Sequence, residues 1–194
     1  MKCDILITGT GGQGTVLASR LLAASALEAG FFTRTSETIG MAQRGGCVTS
    51  HVRIDSRDKN PMIPSGSADL IIGFEPSEVV RELHRLAPAG KCIVNTHAIQ
   101  PVTASLTGSA YDPDPMFEYI KKHASDCIFV DGISLAQQTG SVKTLNVVLI
   151  GIAWATGIIP VNSEMIKACM AKMVKPKYVE MNCKAFDIGA EYIK

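Results

Sequence analysis

The sequence predicts an α/β fold: one three-layer domain over residues 1–194, with a Rossmann-like, mostly parallel sheet flanked by helices and a helical C-terminal part. Three observations predict it. Short apolar runs such as residues 2–8 (KCDILIT), 69–73 (DLIIG) and 91–95 (KCIVN) have the length and continuity of strands buried on both faces. Helical segments alternate with these runs, the pattern of a parallel sheet crossed by helices. The first run ends in the glycine-rich hexapeptide Gly9-Thr-Gly-Gly-Gln-Gly14, which opens directly into an Ala/Leu-rich stretch.

Taken in order, residues 2–8 form the first strand, and the helix after the glycines runs to about residue 29, with Gly30 at its C′ position. Residues 31–38 are aromatic and β-branched enough for a second strand. Residues 47–54 follow Gly45-Gly46 and alternate, with Val48, Val52 and Ile54 on one face. That alternation suits an antiparallel or edge strand. A loop over 56–67, rich in Pro and Gly, leads to the strand at 69–73. Pro76 then starts a helix to about Leu86, which Pro88 and Gly90 end before the strand at 91–95. A Pro/Ser/Thr-rich link to Pro115 carries little regular signal. A helix over 116–124, a strand over 127–130 and a mainly helical remainder follow. In the last helix Tyr178, Asn182, Ala185, Phe186, Gly189 and Ile193 share a face.

Composition narrows the function classes. Nineteen Lys+Arg against eighteen Asp+Glu leave a net charge of +1, which gives no electrostatic reason to expect nucleic acid or an anionic membrane. With 46% apolar and 19% charged residues the chain can bury enough surface to order itself, some of it against another subunit. Cys3, Cys47, Cys92, Cys127, Cys169 and Cys183 form no CxxC pair, so no metal or iron–sulfur site is read here. Reduced, structural thiols point to a cytoplasmic location. No signal segment is read at the N-terminus. The most apolar stretch, residues 145–159, is shorter than the ~20 residues of a membrane span and contains Asn146 and Thr156, so it reads as a buried helix.

Two constellations stand out. Gly9, Gly11 and Gly14 match GxGxxG between a strand and a helix, where backbone N–H groups and a helix N-terminus can receive a phosphate. The same glycines also serve a tight turn and close strand–helix packing. A dinucleotide site needs an acidic residue at the end of the second strand, ~20 residues on. Glu37 is the candidate, 26 residues beyond Gly11. The second constellation is Met41-Ala-Gln-Arg-Gly-Gly46. Gln43 and Arg44 offer a planar amide and a guanidinium suited to carboxylate or phosphate, with Gly45 and Gly46 permitting close approach. The same segment also fits a bulge or bend into the third strand with Arg44 paired internally, and His51 beyond it reads as a hydrogen-bonded core or edge residue rather than a catalyst. GxSxG, HExxH and GxxxxGK[ST] are absent from the sequence, so no catalytic residue is assigned to this chain alone.

Several longer segments extend these motifs: SETIGMAQRGGCVTSHVRI (36–54), ADLIIGFEPSEVVR (68–81), KCIVNTHAIQP (91–101), NVVLIGIAWATGIIP (146–160) and KYVEMNCKAF (177–186). Together with GTGGQG they resemble the gamma-type domain of the 2-oxoacid:ferredoxin oxidoreductases. The wording around Met41–Gly46, the stand-alone length and the C-terminal helix are most similar to the beta-type subunits of its indolepyruvate-oxidising branch. The resemblance implies a subunit of a complex that oxidatively decarboxylates a 2-oxoacid such as indolepyruvate to an acyl-CoA and reduces ferredoxin. Thiamine diphosphate and [4Fe-4S] clusters are then expected on a large alpha partner subunit, with coenzyme A as co-substrate and no cofactor held tightly by this chain. Gly9, Gly11, Gly12, Gln13 and Gly14, with Gln43, Arg44, Gly45 and Gly46, become candidates for the substrate or cofactor environment. Three alternatives stay open: the gamma subunit of a pyruvate, 2-oxoglutarate or branched-chain enzyme, a non-catalytic scaffold, and an independent nucleotide-binding oxidoreductase.

Overall fold

In a computed structural model of the chain, described over residues 2–40, 45–56, 60–100 and 111–193, six strands form one sheet. They are β1 (Cys3–Thr10), β2 (Thr33–Ile39), β3 (Cys47–Ile54), β4 (Ala68–Gly73), β5 (Leu86–Asn95) and β6 (Asp126–Val130), in the order β2-β3-β1-β4-β5-β6. The β1–β4, β4–β5 and β5–β6 pairings are parallel, and β3 is antiparallel to both its neighbours. Only β3 runs against the others, which is the mostly parallel sheet the sequence predicts.

Helices α1 (Thr15–Glu28), α2 (Pro76–Glu82), α3 (Asp114–His123), α4 (Gly132–Gln137), α5 (Leu145–Ala155), α6 (Ser163–Met173) and α7 (Val179–Glu191) supply the outer layers. Alternation along the strands divides the core in two. Ile5, Ile7, Val52, Leu70, Ile72 and Ile93 face α1, α5, α6 and α7, where Leu22, Val148, Ile152, Ile166 and Phe186 meet them. Leu6, Ile71, Cys92 and Val94 face Val79 of α2 and Ile120 of α3. In α5 every residue from Leu145 to Ala153 is buried, so the most apolar stretch of the chain is the buried helix it was read to be.

Local chemistry explains the boundaries. Gly30 at φ +85° lets the N–H groups of Gly30 and Phe31 reach the carbonyls of Leu27 and Ala26, a Schellman closure of α1. That closure uses Phe31, and the second strand begins at Thr33 instead of residue 31. The fifth strand starts at Leu86 and runs through Pro88 and Gly90, against the expectation that these two residues end a helix there. The helix itself stops at Glu82, and a 3-10 turn, Leu83–Arg85, follows it. Pro88 is tolerated because the ladder jumps from Ala68↔Leu86 to Leu70↔Lys91, so its missing N–H breaks no bond. β3 is antiparallel as its alternation suggests, but it is internal, with β2 outside it.

The polar residues of β3 tie its neighbours. Arg53 Nε and Nη2 donate to Asp4 across the β1–β3 ladder at 3.0 and 3.1 Å, both side chains being buried. Arg53 Nη1 donates to the Asn60 and Met62 carbonyls at 2.6 and 3.3 Å. His51 Nδ1 accepts the Ile63 N–H at 3.1 Å. Of the shared face expected in the last helix, Asn182, Ala185, Phe186 and Gly189 are buried. Tyr178 is exposed because it lies in the 3-10 turn before α7.

Candidate functional site

The chain reverses at the carboxyl ends of the strands, and the glycine loop marks the place. The connection leaving β1 runs through α1 towards β2 on one side, while β4 lies on the other side of β1 and is followed by α2. The crevice above such a reversal is where open α/β sheets receive ligands.

Close packing makes this loop. A Cβ at Gly9 would stand 2.6 Å from Gln13 Oε1 and 2.8 Å from Phe74 Cβ. Gly14 caps α1 in the left-handed region at φ +88°, which strains any side chain. The Gln13 amide is occupied within the protein: Oε1 accepts the Thr10 N–H at 2.7 Å, and Nε2 donates to the Phe74 carbonyl at 3.2 Å. Asn95 Nδ2 donates to the same carbonyl at 3.1 Å, and Asn95 Oδ1 accepts the Gly132 N–H at 3.0 Å. One carbonyl after β4 thus ties together the ends of β1, β4, β5 and β6.

The two glycine motifs, more than thirty residues apart in sequence, meet: the Gly11 N–H donates to the Gly46 carbonyl at 2.8 Å, and the Gly45 N–H reaches the Gly11 carbonyl at 3.5 Å. Gln43 and Arg44 lie outside the described residues, so of the second constellation only Gly45 and Gly46 are placed at the loop.

Against the loop lies a cavity of about 440 Å³ lined by Gly12, Gln13, Gly14, His97, Lys143 and Asn146, among others. A second depression of about 450 Å³ adjoins it, sharing Leu17, Lys143 and Asn146 and reaching Tyr178. Among the described residues neither lining contains a carboxylate. At the rim Asp131 caps α4. Its carboxyl is held below the ordinary value by bonds from Ser134 Oγ and N–H, with a smaller contribution from His97. Glu75, at the start of α2, accepts from the Ser77 N–H at 2.7 Å and the Tyr111 hydroxyl at 2.7 Å. Burial and this carboxylate push the Tyr111 hydroxyl up to about 12. Asp131 and Tyr111 are therefore poorly placed to move protons near neutral pH.

Glu37 is not beside the loop. It pairs in register with Ser50, which pairs with Ile7, so it sits level with the middle of β1 and two strands away, about 10 Å. Its carboxylate meets Ser19 Oγ at 3.4 Å and Arg20 Nε at 3.9 Å. Interposing β3 removes the acidic ribose clamp that a dinucleotide site uses, and this counts against the independent nucleotide-binding reading.

His51 is a core residue, 1% exposed, with its pKa lowered to about 4 by burial and, less strongly, by Arg85. All six cysteines are free thiols. Among the described residues no three His, Cys, Asp or Glu side chains converge to hold a metal, so a cluster does not fit this part of the chain. The sequence reading missed Asn95, His97, Lys143 and Asn146 as site residues. Only Asn146 carried a local signal, as a polar residue in the most apolar stretch.

Residues 4–192 match the family described as pyruvate ferredoxin/flavodoxin oxidoreductase. Indolepyruvate oxidoreductase subunit IorB of Pyrococcus horikoshii is 38% identical over 196 aligned positions, covering 98% of this chain and 96% of the relative. The pyruvate/ketoisovalerate oxidoreductases common subunit gamma of Thermococcus litoralis is 26% identical, covering 97% and 98%. The fold matches pyruvate oxidoreductase subunit PORC of Thermotoga maritima with a TM-score of 0.74 at 24% identity, over 98% of this chain and 96% of that one. It also matches 2-oxoglutarate:ferredoxin oxidoreductase of Magnetococcus marinus, with a TM-score of 0.71 at 17% identity. There 97% of this chain covers 30% of a longer one.

Proposed function

The chain belongs to the pyruvate ferredoxin/flavodoxin oxidoreductase family, and on that premise we propose that it is the small subunit of a complex oxidising indolepyruvate or a related arylpyruvate. One observation carries the choice of substrate class. Similarity extends over almost the full length of both chains and stands at 38% for the indolepyruvate relative, against 26% for the pyruvate/ketoisovalerate one.

In this reading residues 1–194 act as one domain in the cytoplasm, beside a large subunit that holds thiamine diphosphate and [4Fe-4S] clusters and passes electrons to ferredoxin. Those groups supply the decarboxylation and electron-transfer chemistry, and no step is assigned to them on this chain. The chain's own part is to wall the active-site cleft. The N–H groups of Gly12 and Gly14, on a loop shaped by Gly9, face coenzyme A or the oxoacid, Gly45 and Gly46 brace the loop through Gly11, whose N–H is held by the Gly46 carbonyl, and Gln43 and Arg44 reach the partner or an anionic group. Gln13 acts through the loop, since its amide is already committed to Thr10 and Phe74.

The test is anaerobic purification of the tagged chain from its native host, followed by an assay of arylpyruvate- and CoA-dependent viologen reduction. Co-elution of a large, brown, thiamine-containing subunit with that activity is the expected result. A colourless lone chain without it overturns the proposal.

A further inference from the structure

Four of the six cysteines lie in the sheet, and two of them stand on one rung. Cys92 of β5 pairs in register with Cys127 of β6. Cys3 opposes Ile54 and Cys47 opposes Thr10, while Cys169 and Cys183 are on α6 and α7, so no other rung carries two thiols. Neighbouring strands lie about 4.8 Å apart, within the ~4.4–6.8 Å between Cα atoms that a disulfide spans. In-register residues of a parallel pair project to the same face, and both cysteines join the core cluster that also holds Val94, Phe117 and Phe129. The Cys127 thiol is the hydrogen-bond partner of Cys92. That contact, followed by burial, holds the Cys92 thiol well above its ordinary value.

Access differs between the two sulfurs. Cys92 is 0% exposed, whereas Cys127 is half-buried on β6, an edge strand, and follows the exposed Ser125 and Asp126. A small oxidant therefore meets Cys127 first, with a second thiol already in place behind it. Both thiols are free, so the pair stands in its reduced state.

We propose that Cys92 and Cys127 form a dithiol oxidation site, closed to a disulfide by hydrogen peroxide or another small hydroperoxide and reopened by thiols. The Cys127 sulfur attacks a peroxide oxygen: an S–O bond forms, the O–O bond breaks, and the leaving hydroxide takes the thiol proton as water. The Cys92 sulfur then attacks the sulfenic acid so formed. The S–S bond forms, the S–O bond breaks, and the second hydroxide leaves as water with the Cys92 proton. Two thiols give up two electrons, which reduce one peroxide to two waters. A disulfide prefers Cβ atoms about 3.8 Å apart, closer than the strand spacing, so the bond pulls β5 towards β6 and stays easy to reduce. The site is independent of which oxoacid the complex oxidises.

The test treats the full, folded chain with a small excess of hydrogen peroxide under anaerobic conditions. Remaining thiols are alkylated after unfolding, and the peptides are mapped by mass spectrometry. The wild type is expected to lose two of its six thiols and to yield the Cys92 and Cys127 peptides joined to each other, with the buried Cys3 and Cys169 still reduced. Glutathione is expected to restore both thiols. In Cys92→Ala the lone Cys127 goes on to the sulfinic acid, and in Cys127→Ser the Cys92 thiol stays reduced. The wild-type map decides even where a variant fails to fold. Six intact thiols, a bond to a different cysteine, or over-oxidised Cys127 beside a reduced Cys92 overturn the inference. A bond that forms but resists glutathione overturns its reversibility.

Discussion

A histidine that accepts a backbone N–H through Nδ1 cannot do so once that nitrogen is protonated. His51 holds Ile63 this way, and its pKa lies near 4, below the ordinary 6.5. As pH falls below 6.5 the unfolded chain takes up the proton first, so stability drains away until about pH 4, where the folded state also protonates. Relative to His51→Asn, whose Oδ1 can still accept from Ile63, the wild type is expected to lose about 3 kcal/mol between pH 7.5 and pH 4. Urea denaturation at the two pH values measures this, and parallel losses in both proteins exclude the mechanism. At the same scale, Gly9, Gly14 and the Gln13 latch were half legible. The glycines announce a turn in the sequence, but the acceptor of Gln13 is a carbonyl 61 residues away.

Between elements, the α5–α7 crossing depends on a reciprocal pair of glycines. A Cβ at Gly151 would come within 2.2 Å of the Phe186 carbonyl oxygen, and one at Gly189 within 2.1 Å of the Val148 carbonyl oxygen. The helices therefore touch backbone to backbone, and neither glycine serves a turn. Gly151→Ala is expected to cost about 2 kcal/mol or more, because backbone cannot swing aside as a flexible side chain can. Adding Gly189→Ala costs less than its single value, since the first change already parts the helices. A wild-type urea midpoint for Gly151→Ala rules out this close approach. The helical periodicity of both segments is visible in the sequence, whereas their partnership is not. Similarly, β5 could not be bounded from its own residues, because Pro88 is harmless only where the ladder with β4 slips.

For the whole molecule, the helical tail is part of the core. With Leu145 to Ala153 buried throughout, α5 has no polar face on which to exist alone, and it covers strand residues such as Leu70, Ile72 and Ile93. A chain cut after Gln137 is expected to lose cooperative unfolding and near-ultraviolet circular dichroism and to bind an apolar dye. Sharp, dye-free unfolding of that truncated chain shows that the tail is dispensable. The same assembly of layers creates the candidate site: Gly14 from the first fifth of the sequence and Asn146 from the last third become neighbours only when α1 and α5 pack on one face.

By itself the sequence determined the α/β class, most strands and helices, the glycine loop between β1 and α1, and the family motifs. All of these are local signals, set by side-chain periodicity, glycine conformation and residue order. Only the tertiary structure decided that β3 lies between β2 and β1, which moves Glu37 away from the loop, and that Gly11 meets Gly46. It alone assembled the wall of Lys143 and Asn146. Strand order and loop contacts arise from long-range burial and hydrogen-bond satisfaction, which depend on which surfaces meet and leave no trace in the spacing of neighbouring residues.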